Sequence, residues 1–302
     1  MSRASEKPRL WLPQHWPMWL GLGVFRVVSE LPWSIQRALA RMVGETFYRL
    51  IPIRRHVVFV NLRLCFPEKS DAEIKAIARA HYHSLALGLF ETCCGWWADV
   101  KRLPSHRIIG AEHLEAAVAK GKGVVLLTAH FTTLELCARM MNEQFDLGCL
   151  YRDPNNPVLA AQMRAQRERH VSIAIHFDDL KGLIRALRSG HAIWYAPDQG
   201  KRTKLSEILP FFGVPAITNT ATGKLAGMTE SPVVPYFARR EPDSSYTLTV
   251  LPPLDNFPTK DANADAVRIN QLIEQHIRMA PEQYLWVHKR FKARGAGYPE
   301  VY

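Results

Sequence analysis

The sequence predicts an α/β fold, with a mixed, largely parallel central sheet flanked by helices and a membrane-associated helix at the N-terminus. Three observations predict it. Short apolar runs, Gly123-Val-Val-Leu-Leu-Thr-Ala129 and His191-Ala-Ile-Trp-Tyr-Ala196 among them, alternate with longer stretches of helical period. That is the pattern of strands joined by crossover helices, and so of parallel pairing. The 302-residue chain is 47% hydrophobic, enough for a sizeable core. Its first part differs in kind, being tryptophan-rich and then basic, which divides the chain into an N-terminal anchor with an amphipathic helix, 1–52, and a main domain, 53–302.

From Trp11 to Val28 the chain reads WLPQHWPMWLGLGVFRVV. Proline, glycine and Arg26 interrupt this run, and it falls short of the ~20 apolar residues a spanning helix wants. It reads as an interfacial anchor or a marginal single transmembrane span, with an ordinary helix packed on the core as the alternative. Trp11, Trp16, Trp19 and Trp33 suit the headgroup boundary, where an aromatic ring has one apolar and one wet side. Residues 34–51 place Ile35, Leu39, Met42, Val43, Phe47 and Leu50 at helical spacing, with Arg37, Arg41 and Arg49 largely off that stripe. A basic amphipathic helix of this kind suits a membrane surface.

Residues 54–98 predict two helices around a break at Pro67, the second capped by Ser70. A short strand at 107–110 and a helix at 111–120 lead to the strand that ends at His130, whose following helix carries Glu135. Then come a strand at 147–152, helices at 156–170 and 177–188, and a strand at 191–198. A basic loop with Lys201, Arg202 and Lys204 follows. A helix at 218–228, strands at 233–238 and 246–251, and a helix at 265–279 complete the pattern.

Lysine and arginine total 39 against 28 acids, a net charge of +11. This favours acidic partners such as nucleic acid, anionic lipid or an acidic carrier protein. The five cysteines (Cys65, Cys93, Cys94, Cys137 and Cys149) are odd in number, without a pair at metal-ligand spacing, and read as reduced residues facing a cytosolic compartment. The first ten residues are not followed by a small-residue cleavage site, so no cleavable signal is expected. Gly21 and Gly23 lack the third glycine of a dinucleotide fingerprint, and the sequence has no phosphate loop, nucleophile elbow or zinc-spaced histidine pair. Its tryptophans cluster at the N-terminus instead of interleaving with basic residues on one module. No cofactor, metal ion or nucleic acid is expected.

His130 at a strand end can act as a base near neutral pH. Glu135, near the start of the next helix, can fold back onto the other ring nitrogen, giving the base-and-orienter half of a triad whose nucleophile must come from a substrate. On spacing alone, a satisfied polar pair at a helix start is the commoner explanation. His130, Arg152 and Asp198 all end predicted strands, however, and sites on such sheets gather at the carboxyl ends of strands. That favours a site. Arg167 and Arg169 can bind phosphate or carboxylate, although two residues apart they do not share a helix face.

The stretch His130-Phe-Thr-Thr-Leu-Glu135, with the blocks Leu150-Tyr-Arg-Asp-Pro-Asn-Asn-Pro157, Trp194-Tyr-Ala-Pro-Asp-Gln199, Pro210-Phe-Phe-Gly-Val-Pro215 and Met279-Ala-Pro-Glu-Gln-Tyr-Leu-Trp-Val-His-Lys-Arg-Phe-Lys292, resembles the late lipid A acyltransferase branch of the lysophospholipid acyltransferase superfamily. The resemblance covers nearly the whole chain. It implies transfer of a fatty acyl chain from acyl carrier protein to a 3-hydroxyacyl hydroxyl of a Kdo-bearing lipid A precursor, at the cytoplasmic face of the bacterial inner membrane and among its lipids. On this likeness His130 is the base oriented by Glu135, and Arg167, Arg169 and Asp198 serve the substrate. Another membrane glycolipid or a lysophospholipid is the alternative acceptor, and a non-catalytic lipid-binding protein is the alternative class.

Overall fold

The computed structural model describes residues 9–200, 202–292, 294 and 297–302; residues 1–8 and Lys201 of the basic loop lie outside the described residues. The strands are β1 (His106–Ile109), β2 (Val124–Leu127), β3 (Leu147–Tyr151), β4 (Ala174–His176), β5 (Ala192–Tyr195), β6 (Ser206–Phe211), β7 (Val214–Asn219), β8 (Val233–Arg240) and β9 (Tyr246–Val250). Seven of them form one sheet in the order β1-β9-β8-β2-β5-β3-β4, while β6 and β7 form a separate hairpin. Every neighbouring pair in the large sheet is parallel except β8 with β9. The predicted α/β fold with a mixed, largely parallel sheet is the fold observed.

Among the described residues ten α-helices surround the strands: α1 (Trp16–Val28), α2 (Trp33–Leu50), α3 (Pro52–Cys65), α4 (Asp71–Trp97), α5 (Ala111–Val118), α6 (Leu134–Asn142), α7 (Pro157–His170), α8 (Leu180–Arg188), α9 (Ala221–Thr229) and α10 (Ala262–Met279). Their starts are written in the sequence. Ser70 and Glu73 cap α4 reciprocally, the Asn156 side chain accepts from Val158 and Leu159 N–H groups, and Asp179 accepts from Gly182.

β2 and β5 are buried along their whole length, as central strands covered on both faces must be. Alternate residues point to opposite faces. Val125, Leu127, Ile193 and Tyr195 join one core with residues of α3, α4, α8 and α10. Val124, Leu126, Ala192 and Trp194 join a second core with α5 and α6. The 27-residue α4 runs behind the loop that follows β2.

Three predicted boundaries moved for local reasons. β4 ends at His176, a turn follows at 177 and 178, and α8 starts only after its Asp179 cap. Asp261 caps α10, which starts at Ala262, three residues ahead of the predicted start. Thr218 and Asn219 belong to β7, not to a helix. Phe212 and Gly213, with φ of 51° and 72°, form the two-residue turn whose twist suits a hairpin.

At the N-terminus, α1 spans 13 residues, about 20 Å, against roughly 30 Å of bilayer hydrocarbon. Among the described residues no helix is long and apolar enough to cross a membrane. Trp11, Trp16, Trp19, Leu20, Val24 and Val27 are exposed together, whereas Trp33 is half-buried and packs against the second core. α2 lies directly on α4. A Cβ on Gly44 would stand 2.6 Å from the Tyr82 carbonyl oxygen. Gly44→Leu therefore forces the two helices apart, and denaturant titration should show a loss of about 1–3 kcal/mol.

Candidate active site

The site begins with a register. β2 pairs with β5 so that Val124 faces Ala192 and Leu127 faces Tyr195, and the Thr128 N–H continues the ladder by donating to the Tyr195 carbonyl at 2.9 Å. Carried three residues past the strands, the same register sets His130 opposite Asp198. His130 Nδ1–H donates to Asp198 Oδ1 at 2.6 Å, and the His130 backbone N–H donates to Oδ2 at 3.1 Å. The Tyr284 hydroxyl adds a third donor, to Oδ2 at 3.0 Å.

Asp198 is almost fully buried while the His130 side chain keeps about a third of its surface exposed. Burial raises the Asp198 pKa, but the imidazole and the three hydrogen bonds outweigh it and hold the carboxyl below its ordinary range. Burial pulls His130 down and Arg167 opposes its charge, yet the Asp198 carboxylate lifts it above the ordinary histidine value. With Nδ1 committed to Asp198, Nε2 carries the lone pair, in a residue that lines a cavity of about 740 Å³. The size suits a ligand pocket.

Glu135 sits elsewhere than the spacing predicts. Its Oε1 pairs with Arg167 Nη2, and its Oε2 accepts from Trp96 Nε1 at 3.3 Å. The orienter on the imidazole is Asp198, which corrects the expectation that Glu135 fills that place. The physical reason is directional. From the first turn of α6 the Glu135 side chain meets α4 and α7, while the parallel register brings Asp198 to the ring.

Arg152, at a strand end, and Arg167 line the cavity. Arg169 is exposed and takes no part in that lining, consistent with its position two residues from Arg167. Arg202 and Lys204 are exposed on the loop after β5. Sequence reasoning missed Tyr284, whose signal was its place in the Pro-Glu-Gln-Tyr block, and Trp96, which carried none.

Apolar walls from Leu85, Leu89, Leu134, Ala138, Trp96 and Trp194 make the cavity suited to an alkyl chain, and Glu135, Arg152 and Arg167 set charges beside it. Cys149 also lines it, but burial pushes this thiol up to about 11, so little thiolate is present near neutral pH. Among the described residues no group of histidine, cysteine and carboxylate side chains could hold a metal ion. The arrangement is that of a general base with its orienter, facing a partly apolar cavity.

Asp198→Asn should lower kcat about 10²–10⁴-fold. The sign of the pH effect follows from His130, which must be unprotonated to act as a base. Its raised pKa puts the acid limb of the wild-type pH–rate profile above the ordinary histidine value, and removing the Asp198 charge leaves burial and Arg167 to move that limb to lower pH. A pH–rate profile of both proteins checks this.

A family model described as bacterial lipid A biosynthesis acyltransferase matches residues 3–293. The chain is 38% identical to the lipid A biosynthesis lauroyltransferase of Escherichia coli (strain K12), over 96% of each chain. It is 33% identical to the palmitoleoyltransferase of the same organism, over 96% of this chain and 95% of that one. It is 27% identical to the myristoyltransferase, over 96% and 91% respectively.

Proposed function

Because this chain belongs to the bacterial lipid A biosynthesis acyltransferase family, in its late-acylation branch, and is an O-acyltransferase, we propose that it moves a fatty acyl chain from the thioester of acyl carrier protein to a 3-hydroxyacyl hydroxyl of a Kdo-bearing lipid A precursor. The observation that carries this reading is the His130–Asp198 pair on a cavity with an apolar wall. It supplies a base but no nucleophile of its own. The acceptor hydroxyl is then the nucleophile.

In the step, His130 Nε2 takes the hydroxyl proton as the acceptor oxygen bonds to the thioester carbonyl carbon. Collapse of the tetrahedral intermediate breaks the C–S bond, and the imidazolium returns its proton to the leaving thiolate. Asp198 stabilises the imidazolium and fixes its tautomer. Arg167, near enough to oppose protonation of His130, is assigned to the developing oxyanion. Glu135 holds that guanidinium in place. Both substrates meet in one complex, so no acyl-enzyme is required.

The surface supports the proposed partners. The net charge of +11 suits an acidic carrier protein and a phosphorylated, carboxylated lipid. The exposed apolar residues of α1, next to the exposed Arg37, Arg41 and Arg49 of α2, suit the anionic cytoplasmic face of the bacterial inner membrane. Phe25 of α1 meets Phe90 of α4, and the neighbouring Leu89 is both exposed and part of the cavity wall. A lipid held on that face would lie beside the cavity mouth.

The test is an assay with acyl carrier proteins of varied chain length and a defined lipid A precursor, with mass spectrometry of lipid A from cells lacking the protein. We expect transfer that falls about 10²–10⁴-fold in His130→Ala. An unchanged lipid A acylation pattern would overturn the acceptor and point to another glycolipid or a lysophospholipid, and full activity in H130A would overturn the base. Replacing Trp16 or Trp19 by Ser should weaken co-sedimentation with anionic vesicles by about tenfold each, if each ring buries in the interface. Equal binding of variant and wild type would reject that face.

A further inference from the structure

The proposed step leaves one buried charge pair unused. Glu91 on α4 and Arg240 at the end of β8 meet behind the site, with Arg240 Nε and Nη2 each 2.6 Å from Glu91 Oε1. Tyr246 donates its hydroxyl to the same oxygen at 2.5 Å. Glu91 is fully buried and the Arg240 side chain is 11% exposed. Such a pair is a poor stabiliser, since desolvating two charges offsets their attraction and an apolar pair of similar volume often does as well. Glu91 Oε2 moreover has no hydrogen-bond partner among the described residues. A reason other than stability is wanted.

The hydrogen bonds leading away from Arg240 converge on one residue. Arg240 Nη1 donates to Ser84 Oγ at 3.1 Å, and Ser84 Oγ lies 2.8 Å from Thr132 Oγ1. On the main-chain side, Arg240 N–H donates to Gln283 Oε1 and Gln283 Nε2 donates back to the Arg240 carbonyl, both at 2.8 Å. The Gln283 carbonyl in turn accepts from the Thr132 N–H at 2.8 Å. The next two residues touch the site itself: Tyr284 holds Asp198, and Leu285 N–H donates to the His130 carbonyl at 3.0 Å. α4 closes the remaining side. A Cβ on Gly88 would stand 2.5 Å from the Thr132 carbonyl oxygen.

We propose that Arg240, fixed by Glu91, is a positioning residue for acyl transfer: through Ser84 and Gln283 it grips Thr132 at its side chain and its backbone, and so holds the loop carrying His130 in register with Asp198. Thr132 follows His130 by two residues, so a shift there is passed to the imidazole. Misplacement of a reacting group by about 1 Å can cost about 10²-fold in rate. The inference rests on His130 being the base.

Two variants test it. Glu91→Leu with Arg240→Met replaces the pair by apolar side chains and releases Ser84. Ser84→Ala removes one hydroxyl from the relay and keeps the test open where the double variant does not fold. Both are compared with wild type at equal folded fraction, judged by circular dichroism, for kcat, KM of each substrate and the acid limb of the kcat profile. The charged and titratable groups around His130 and its partner are Asp198 itself, Arg167 of α7, and Tyr284 and His288 of the C-terminal segment; neither variant removes any of them.

Positioning predicts a lower kcat, by about 10²-fold for the double variant, with KM values little changed and an acid limb moved to lower pH, because a loosened Asp198 contact lifts His130 less. A limb that stays at its wild-type position in the folded variants overturns the proposal, whatever happens to kcat. An acid limb that persists in His130→Ala overturns the base reading instead. The two failures are thereby distinguished.

Discussion

A carboxylate buried as deeply as Asp198 has to be met by donors, and the parallel pairing of β2 with β5 decides which ones. The register brings His130 opposite it, with both a ring N–H and a backbone N–H in reach, and the C-terminal segment adds the Tyr284 hydroxyl. Three donors around one buried acid keep it charged. That charge raises the affinity of His130 for a proton, fixes its tautomer and leaves Nε2 to the cavity. The loop after β2, the turn after β5 and the chain around Tyr284 are all tied to this one group.

Around it the other charges are sorted into separate pairs. Glu135 serves Arg167 and Glu91 serves Arg240, so each acid has a different cation and neither competes for the imidazole. The sorting is geometric. Strands β2, β5 and β8 are parallel and deliver their ends to one edge, while α4, α6 and α7 bring their side chains in from the flanks. In a low-dielectric setting each such pair interacts more strongly than it would in water, so the partner an acid meets there matters more than at the surface.

The N-terminal helices complete the architecture without entering the sheet. α2 rests on α4 through a glycine contact, and α1 offers tryptophans and aliphatic residues to its surroundings. α4 therefore links the two regions. One part of it receives α1 and α2, its Gly88 admits the His130 loop, and its leucines line the cavity wall.

Composition and periodicity by themselves determined the alternation of strands and helices, the cap at Ser70, and the placing of His130, Arg152 and Asp198 at strand ends, because each depends on residues close in sequence. The motif blocks carried the family. The hairpin of β6 and β7 escaped, since its signal is a two-residue left-handed turn at Phe212 and Gly213 and not a hydrophobic period. Which acid meets His130 was beyond local reading as well. Glu135 is five residues away along the chain and Asp198 sixty-eight, yet strand register outweighs proximity in sequence, because a parallel ladder fixes positions to within a hydrogen bond while a side chain on a helix is aimed by the helix. The same holds for Glu91, Arg240 and Tyr284, which only the packing of α4, β8 and the C-terminal segment brings to one edge.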